Sequence, residues 1–230
     1  MPKETFFNLP PDKRERLIDA ALDELVRYPF DQASISRIVA ATGIAKGSFY
    51  QYFEDKLDLF SWLCEEGGRR RAAWFHQLAN PQPTNPFDRL RFAYREGLGL
   101  WRAEPRWTRV GLRLLEPSED ARLGALRARN EAAVHAFLVA LLRHGQADGT
   151  VRPDIDPEQT AWLASGLLQE GLLRAFFASL GTTLERWPDE AASVSDERLA
   201  EAMGAAIAAV DLLEAAVGVG RRGGVSAQQA

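Results

Sequence analysis

Apolar residues in this chain recur every three or four positions and form no alternating runs of consequence, so helices are the way it can bury them. Across 12–28 they fall at 17, 18, 21, 22 and 25, an amphipathic helix that Pro29 stops. A second helix is expected from Ser34, whose hydroxyl can cap it, and it buries Ile35, Ile38 and Val39. Thr42-Gly43 ends that helix, since glycine accepts the left-handed backbone of a C-cap. Residues 45–52 form a third helix. Asp55 caps a fourth, with Lys56 in its first turn and Asp58 positioned to complete a capping-box-like pair. It runs to about Leu78 across Gly67-Gly68, each glycine weakening it by ~1 kcal/mol.

The helical pattern continues past a proline-rich loop at 80–86. Helices are predicted over 87–103, over 106–115, and from Pro117-Ser118 to about His144, followed by a loop at 148–154. Asp156-Pro157-Glu158-Gln159 supplies an N-cap, a proline at the first helical position and a reaching glutamine. The helix it opens, 157–180, is apolar on nearly every side and is expected to be buried on more than one. The last, 196–217, is rich in small residues that let helices approach closely. The expected fold is all-α with about nine helices. Three parts are predicted: a helix-turn-helix head over 1–60, a helical body over 61–217, and a flexible tail over 218–230.

Composition narrows the function classes. No uninterrupted apolar run is long enough for a membrane, the first residues lack an apolar signal core, and the lone Cys64 excludes an intrachain disulfide. A cytoplasmic location without membrane attachment is therefore expected. Formal net charge is −4, and residues 1–60 hold eight basic against ten acidic side chains. Bulk charge does not announce nucleic-acid binding, so any such contact needs a locally cationic face.

One stretch, TGIAKGSFYQYFEDKLDLF (42–60), is the candidate to lie against DNA. Helix, glycine-containing turn, helix is the arrangement whose second helix enters the major groove of DNA by its N-terminal end. Small residues at Ala45 and Gly47 permit close approach, while Lys46 and Ser48 can reach base edges or phosphates. Phe49 and Phe53 should point inward against Leu17, Ala21 and Ile38, leaving the Tyr50 and Tyr52 hydroxyls for phosphate oxygens. Lys56 sits at a helix N-terminus, which favours anions.

From about Asp12 to Leu63, LIDAALDELV and SISRIVAATGIAKGSFYQYFEDKLDLF together resemble the TetR/AcrR family of bacterial regulators. The resemblance implies a three-helix DNA-binding head, a larger body that binds a small-molecule effector, and homodimerisation through the last two long helices. Carried over by position, it implies DNA contacts from Ser34, Ser36 and Arg37, from Ala45, Lys46, Gly47, Ser48, Tyr50 and Tyr52, and from Lys56. The implied dimer surface includes Leu167, Leu168, Leu172, Phe176, Ala205, Ala209 and Leu212. The expected partners are a palindromic double-stranded operator, a second copy of the chain and a small apolar or amphipathic effector, with the chain acting as a repressor.

Among the body aromatics, Trp74, Phe92, Trp101, Trp107, Phe137 and Trp162 are candidates to line an effector cavity, although plain core packing is the commoner role for any one of them. Arg69, Arg70 and Arg71 read as a solvated face and Cys64 as a small buried hydrophobe. His76, His135 and His144 lack metal-ligand spacing, and no cofactor motif is present. Two other classes stay open at this point. A helical enzyme would have to assemble Glu96, Glu104, Glu116 and Glu170 from different helices, and a non-specific DNA-coating protein would need a broadly basic surface.

Overall fold

A computed structural model describes residues 1–77 and 84–219, with the side chains of 75–77 excepted. Leu78, the first part of the 80–86 loop, the His76 side chain and the tail from 220 onward lie outside the described residues. Among those described the chain is helical, and its β pairing is one isolated bridge.

The head holds α1 (Glu4–Phe7), α2 (Pro11–Arg27), α3 (Ile35–Thr42) and α4 (Lys46–Tyr52). The body holds α5 (Lys56–Gln77), α6 (Pro86–Ala103), α7 (Pro105–Leu112), α8 (Ala121–Ala147), α9 (Pro157–Gly166), α10 (Leu172–Leu180), α11 (Trp187–Glu190) and α12 (Asp196–Val217). A π-helical turn, Leu167–Gly171, joins α9 to α10 without a break. With that pair taken as one helix, the predicted set is recovered, plus the single-turn helices α1 and α11. Both are too short to show a period, and a buried ring anchors each: Phe6 in α1 and Trp187 in α11. No helix among the described residues is long and apolar enough to cross a membrane.

Two cores result. Phe6, Leu17, Leu22, Ile38, Phe49, Phe53 and Phe60 fill the first, which also takes in Trp62 and Leu63 of α5, Val110 of α7 and Leu123 of α8. The second joins α6, α8, α9, α10 and α12 around Leu142, Leu172, Phe176, Trp187 and Val210.

Local details depart from expectation for identifiable reasons. Ser34 occupies the N-cap of α3 without capping it through its hydroxyl. Glu24 of α2, 7% exposed, instead accepts the Ser34 N–H at 2.7 Å. Helix α8 begins at Ala121 rather than Pro117, because Ser118 Oγ and the Glu119 N–H donate to Asp31 and Asp120 becomes the cap. The α9–α10 helix is buried on one side only, with Trp162 and Leu163 59% and 78% exposed. Gly218 and Val219 are not loose tail: Gly218 bridges to Val151, and the Val219 N–H donates to Thr150 O at 2.9 Å.

Candidate nucleic-acid interface

The turn between α3 and α4 is built as the sequence suggests. Gly43 takes φ 70°, in the left-handed region, and ends α3. Phe49 and Phe53, both fully buried beside Leu17, Ala21 and Ile38, pin α4 from behind. The capping-box-like pair at α5 also forms: the Asp58 N–H donates to Asp55 at 2.8 Å, and Asp58 accepts the N–H of Glu54, one residue before the cap, at 3.1 Å.

That anchoring turns one face of the head outward. Ser36, Ala45, Lys46, Gly47 and Tyr50 are exposed, and Ser34, Ser48 and Tyr52 are half-buried. Lys46 has no ion-pair partner among the described residues. A Cβ added to Gly47 would meet nothing within 4 Å, so no packing inside the chain demands glycine in this helix.

Two expected contacts are corrected. Lys56 donates from Nζ to the carbonyls of Phe30, Asp31 and Ala33 at 2.6, 3.2 and 3.0 Å and lies over the Phe30 ring. All three ammonium protons are taken, so Lys56 caps the Phe30–Gln32 turn instead of facing a phosphate. Burial also pulls its pKa below the usual lysine value. Arg37 is paired as well: it grips Glu24 through Nε at 2.9 Å and through Nη2 at 2.5 Å, and stacks on Tyr28. The Glu24 hydrogen bond raises the Arg37 pKa, so the guanidinium stays charged while its charge is met within the head.

The structure adds residues that sequence reading passed over. Lys13 and Arg16 of α2 line a groove of about 430 Å³ with Thr42, Gly43, Ala45 and Ser48, which supplies the locally cationic edge. Arg16 shares its charge with Asp12 at 3.1 Å. In sequence both cations belong to the solvated side of an amphipathic helix, and only packing brings them beside Ser48. The N-terminal segment closes the other end of α4. Lys3 donates from its backbone N–H to Tyr52 O at 2.8 Å and from Nζ to Tyr50 O at 2.9 Å, and Thr5 donates to Gln51 O. These bonds satisfy carbonyls that a helix end leaves orphaned.

Behind the head, α7 forms a seam. Arg106 reaches Asp19 at 2.8 Å and Asp23 at 2.9 Å on α2. Arg113, 5% exposed, donates to Leu25 O and Val26 O at 2.8 Å each and to Glu116 at 2.7 Å. Its guanidinium thus caps the C-terminal end of α2.

The opposite side of α7 faces a body cavity of about 380 Å³ between α5, α6, α8 and the π turn. Of the six aromatics expected there, Trp101 and Trp107 line it. Trp74 packs by Gly99, Phe92 is not in the lining, and Phe137 and Trp162 are 56% and 59% exposed on the outer surface, Trp162 stacked on His135. Arg70 and Arg71 are exposed, as expected of a solvated face, and also edge the lining, as does Cys64, whose thiol burial pushes up to about 12. Helix α5 passes unbroken through Gly67, where an added Cβ would touch Trp107 at 3.7 Å.

The expected dimer surface is also revised. Leu168, Leu172, Phe176 and Ala209 are buried within the single chain and cannot meet a partner, and Leu167 is half-buried. Ala205 and Leu212 are exposed, along with Leu163. Helical periodicity marks which residues share a face, but it does not say which of two apolar faces its own core takes.

A family profile described as "Bacterial regulatory proteins, tetR family" matches residues 17–62. The chain is 30% identical over 156 residues to the transcriptional regulator AcuR of Cereibacter sphaeroides, a match spanning 64% of this chain and 68% of the relative. A TetR family transcriptional regulator from Chloroflexus aurantiacus, known from a crystal structure, is 31% identical with a TM-score of 0.72, over 95% of this chain and 99% of that one. SmeT, the repressor of a Stenotrophomonas maltophilia multidrug efflux pump, shares the fold in its triclosan complex at 16% identity, with a TM-score of 0.65 over 91% of this chain and 93% of that one. With relatives aligned through head and body alike, the chain belongs to the TetR family of DNA-binding transcriptional regulators.

Proposed function

We propose that this chain is a homodimeric repressor whose two heads insert α4 into the major grooves of a palindromic operator and release it when an effector fills the body cavity. The observation that carries the reading is the start of α4. A glycine there weakens the helix by ~1 kcal/mol, and nothing inside the chain requires it. A surface approaching from outside supplies the requirement. In this reading Lys46 and Ser48 meet base edges or phosphates, and Ala45 and Gly47 admit the duplex. Ser34, Ser36, Tyr50 and Tyr52 bond the phosphate backbone, and Lys13 and Arg16 join them from α2.

Residues 1–60 act as the head and 61–217 as the body, coupled through α7. One side of α7 lines the cavity, while Arg106 on α7 and Arg113 in the 3-10 turn that follows it (Arg113–Leu115) hold α2. An effector that shifts α7 therefore shifts the head. A preference of a few kcal/mol between two head spacings is enough to change operator occupancy. The triclosan complex of SmeT is consistent with an effector in this fold. The dimer face is read as Leu163, Leu167, Ala205 and Leu212, continued by exposed Ala208, which two copies would bury against each other. Of the four carboxylates an enzyme reading would need, three are committed to ion pairs: Glu104 with Arg70, Glu116 with Arg109 and Arg113, Glu170 with Arg174.

The test is footprinting of DNA from around the chain's own gene, with and without a library of small apolar and amphipathic molecules. Two protected half-sites related by a dyad, about 34–36 Å or a multiple apart, are expected, with protection lost to an effector. Protection of one unpaired half-site would overturn the dimer reading. Leu212→Asp, at a side chain 63% exposed, should yield folded monomers. Dimers of that variant by sedimentation would move the interface elsewhere.

A further inference from the structure

The body cavity is walled mostly by apolar groups, yet its charged lining is unbalanced: Arg70 and Arg71 stand against Glu104 alone. Arg70 is already committed. It bonds Glu104 at 3.2 Å and Glu66 at 3.3 Å, and its guanidinium covers the Trp107 ring at 4.5 Å from the centroid. Arg71 has no ion pair or hydrogen bond among the described residues, and it is exposed at the edge of the cavity. The Tyr94 hydroxyl, close enough to feel the Arg71 charge, lines the same space and has no hydrogen-bond partner among the described residues. Burial pushes that hydroxyl up to about 12, so it remains a donor at any ordinary pH. The same space is lined by Trp101, Trp107 and the leucines of the π turn and early α10. A π turn is an interruption that recurs at functional sites, and here it brings Leu168 and Gln169 into the lining.

From this arrangement we infer that the cavity takes an amphipathic monocarboxylate, its carboxylate held between Arg71 and the Tyr94 hydroxyl and its apolar part laid along Trp101, Trp107 and Leu168. The inference rests on the effector reading above and supplies its chemical class. A cationic ligand would meet an excess positive charge, and the Trp107 face it would seek is already occupied by Arg70. A neutral apolar ligand would cover the Tyr94 hydroxyl without pairing it, a loss that disfavours it, and would gain nothing from Arg71. A carboxylate satisfies both donors with charge-assisted hydrogen bonds. The volume, about 380 Å³, is at the lower end of the roughly 300–1,000 Å³ range of small-molecule sites, which favours a small acid over a long lipid.

Binding is read by quenching of tryptophan fluorescence in the full chain, titrated with octanoate, 3-phenylpropanoate, their primary amides and the matching amines, alongside operator affinity. The acids should bind about tenfold or more tightly than either neutral or cationic counterparts. Arg71→Gln should remove that preference and leave amide binding unchanged, Tyr94→Phe should reduce it by less, and Arg69→Gln, at a residue paired to Glu66 outside the cavity, should leave it intact. Amides that bind and release DNA as well as the acids do would overturn the anionic class while the effector reading stands. Acids that bind with Arg71-dependent selectivity but leave DNA affinity unchanged would support the site and overturn its regulatory role. Absence of binding by every acid overturns the inference, and so does acid selectivity that survives Arg71→Gln.

Discussion

The head meets two surroundings, the open side of α4 and the seam with the body, and it uses cations oppositely on each. On the seam they are committed: Arg106 to two aspartates, Arg113 to two carbonyls and Glu116, Arg122 to Asp55 and Asp120, Lys56 to three carbonyls. On the open side Lys46 and Lys13 have no ion partner among the described residues, and Arg16 meets only the exposed Asp12. Charge count does not separate these surfaces, since the head as a whole is slightly acidic. What separates them is whether each cation's donors are satisfied inside the chain. A satisfied cation holds the fold together, and an unsatisfied one on a shaped surface is available to a polyanion.

The sharpest way to break this contrast is Arg113→Met. Stripping the buried guanidinium leaves Leu25 O and Val26 O without their donor, and about 3 kcal/mol of unfolding free energy should disappear in a denaturant melt. A loss under 1 kcal/mol would mean that the seam is not held by committed cations. Lys46→Ala should do the reverse. Operator affinity should fall by about 1–3 kcal/mol, with stability changed by less than ~0.5 kcal/mol. Unchanged binding would remove Lys46 from the interface.

Lys56→Met tests the boundary between the two classes. The melt should show a loss of about 1–2 kcal/mol from uncapped carbonyls, while the slope of log affinity against log salt keeps its wild-type value. A slope shallower by about one counterion would return Lys56 to the phosphate-binding set. The smallest effect concerns acid. Asp55 has its pKa lowered from 3.8, its hydrogen bonds to Arg122 and to the Asp58 N–H outweighing partial burial. A depressed folded-state pKa contributes stability that is present above the unfolded value and lost as pH falls through the folded one. Arg122→Ala should therefore flatten the fall in stability as pH drops below the ordinary carboxylate value of 3.8 and leave its pH dependence flat near neutrality. An unaltered acid limb would show that the Arg122–Asp55 pair contributes nothing measurable.

Legibility in the sequence followed the range of the interactions concerned. Gly43 and the capping-box-like Asp55/Asp58 pair were legible because cap and turn chemistry acts within four residues. Phe49 and Phe53 were legible because their spacing sets one face of a helix. The Ser34 cap failed because a competitor, Glu24, arrives from another helix. Trp162 failed as a cavity residue for a related reason: an aromatic at helical spacing states that a face is apolar and does not state what covers it.

The sequence by itself determined that the chain is helical, where its helices turn, and that 35–52 forms a helix-turn-helix with a small-residue entry. Those outcomes depend on backbone preference and on a periodicity contained within each segment. Only the tertiary structure decided which cations are free, which apolar faces stay outside, and that Arg71 and Tyr94 share a cavity. The partners in those decisions lie far apart in sequence, Lys56 being 23 residues or more from the carbonyls it caps, and Tyr94 belonging to a different helix from Arg71. A side chain's chemistry is fixed where it is written, but whether that chemistry is consumed or left over depends on neighbours that folding alone brings to it.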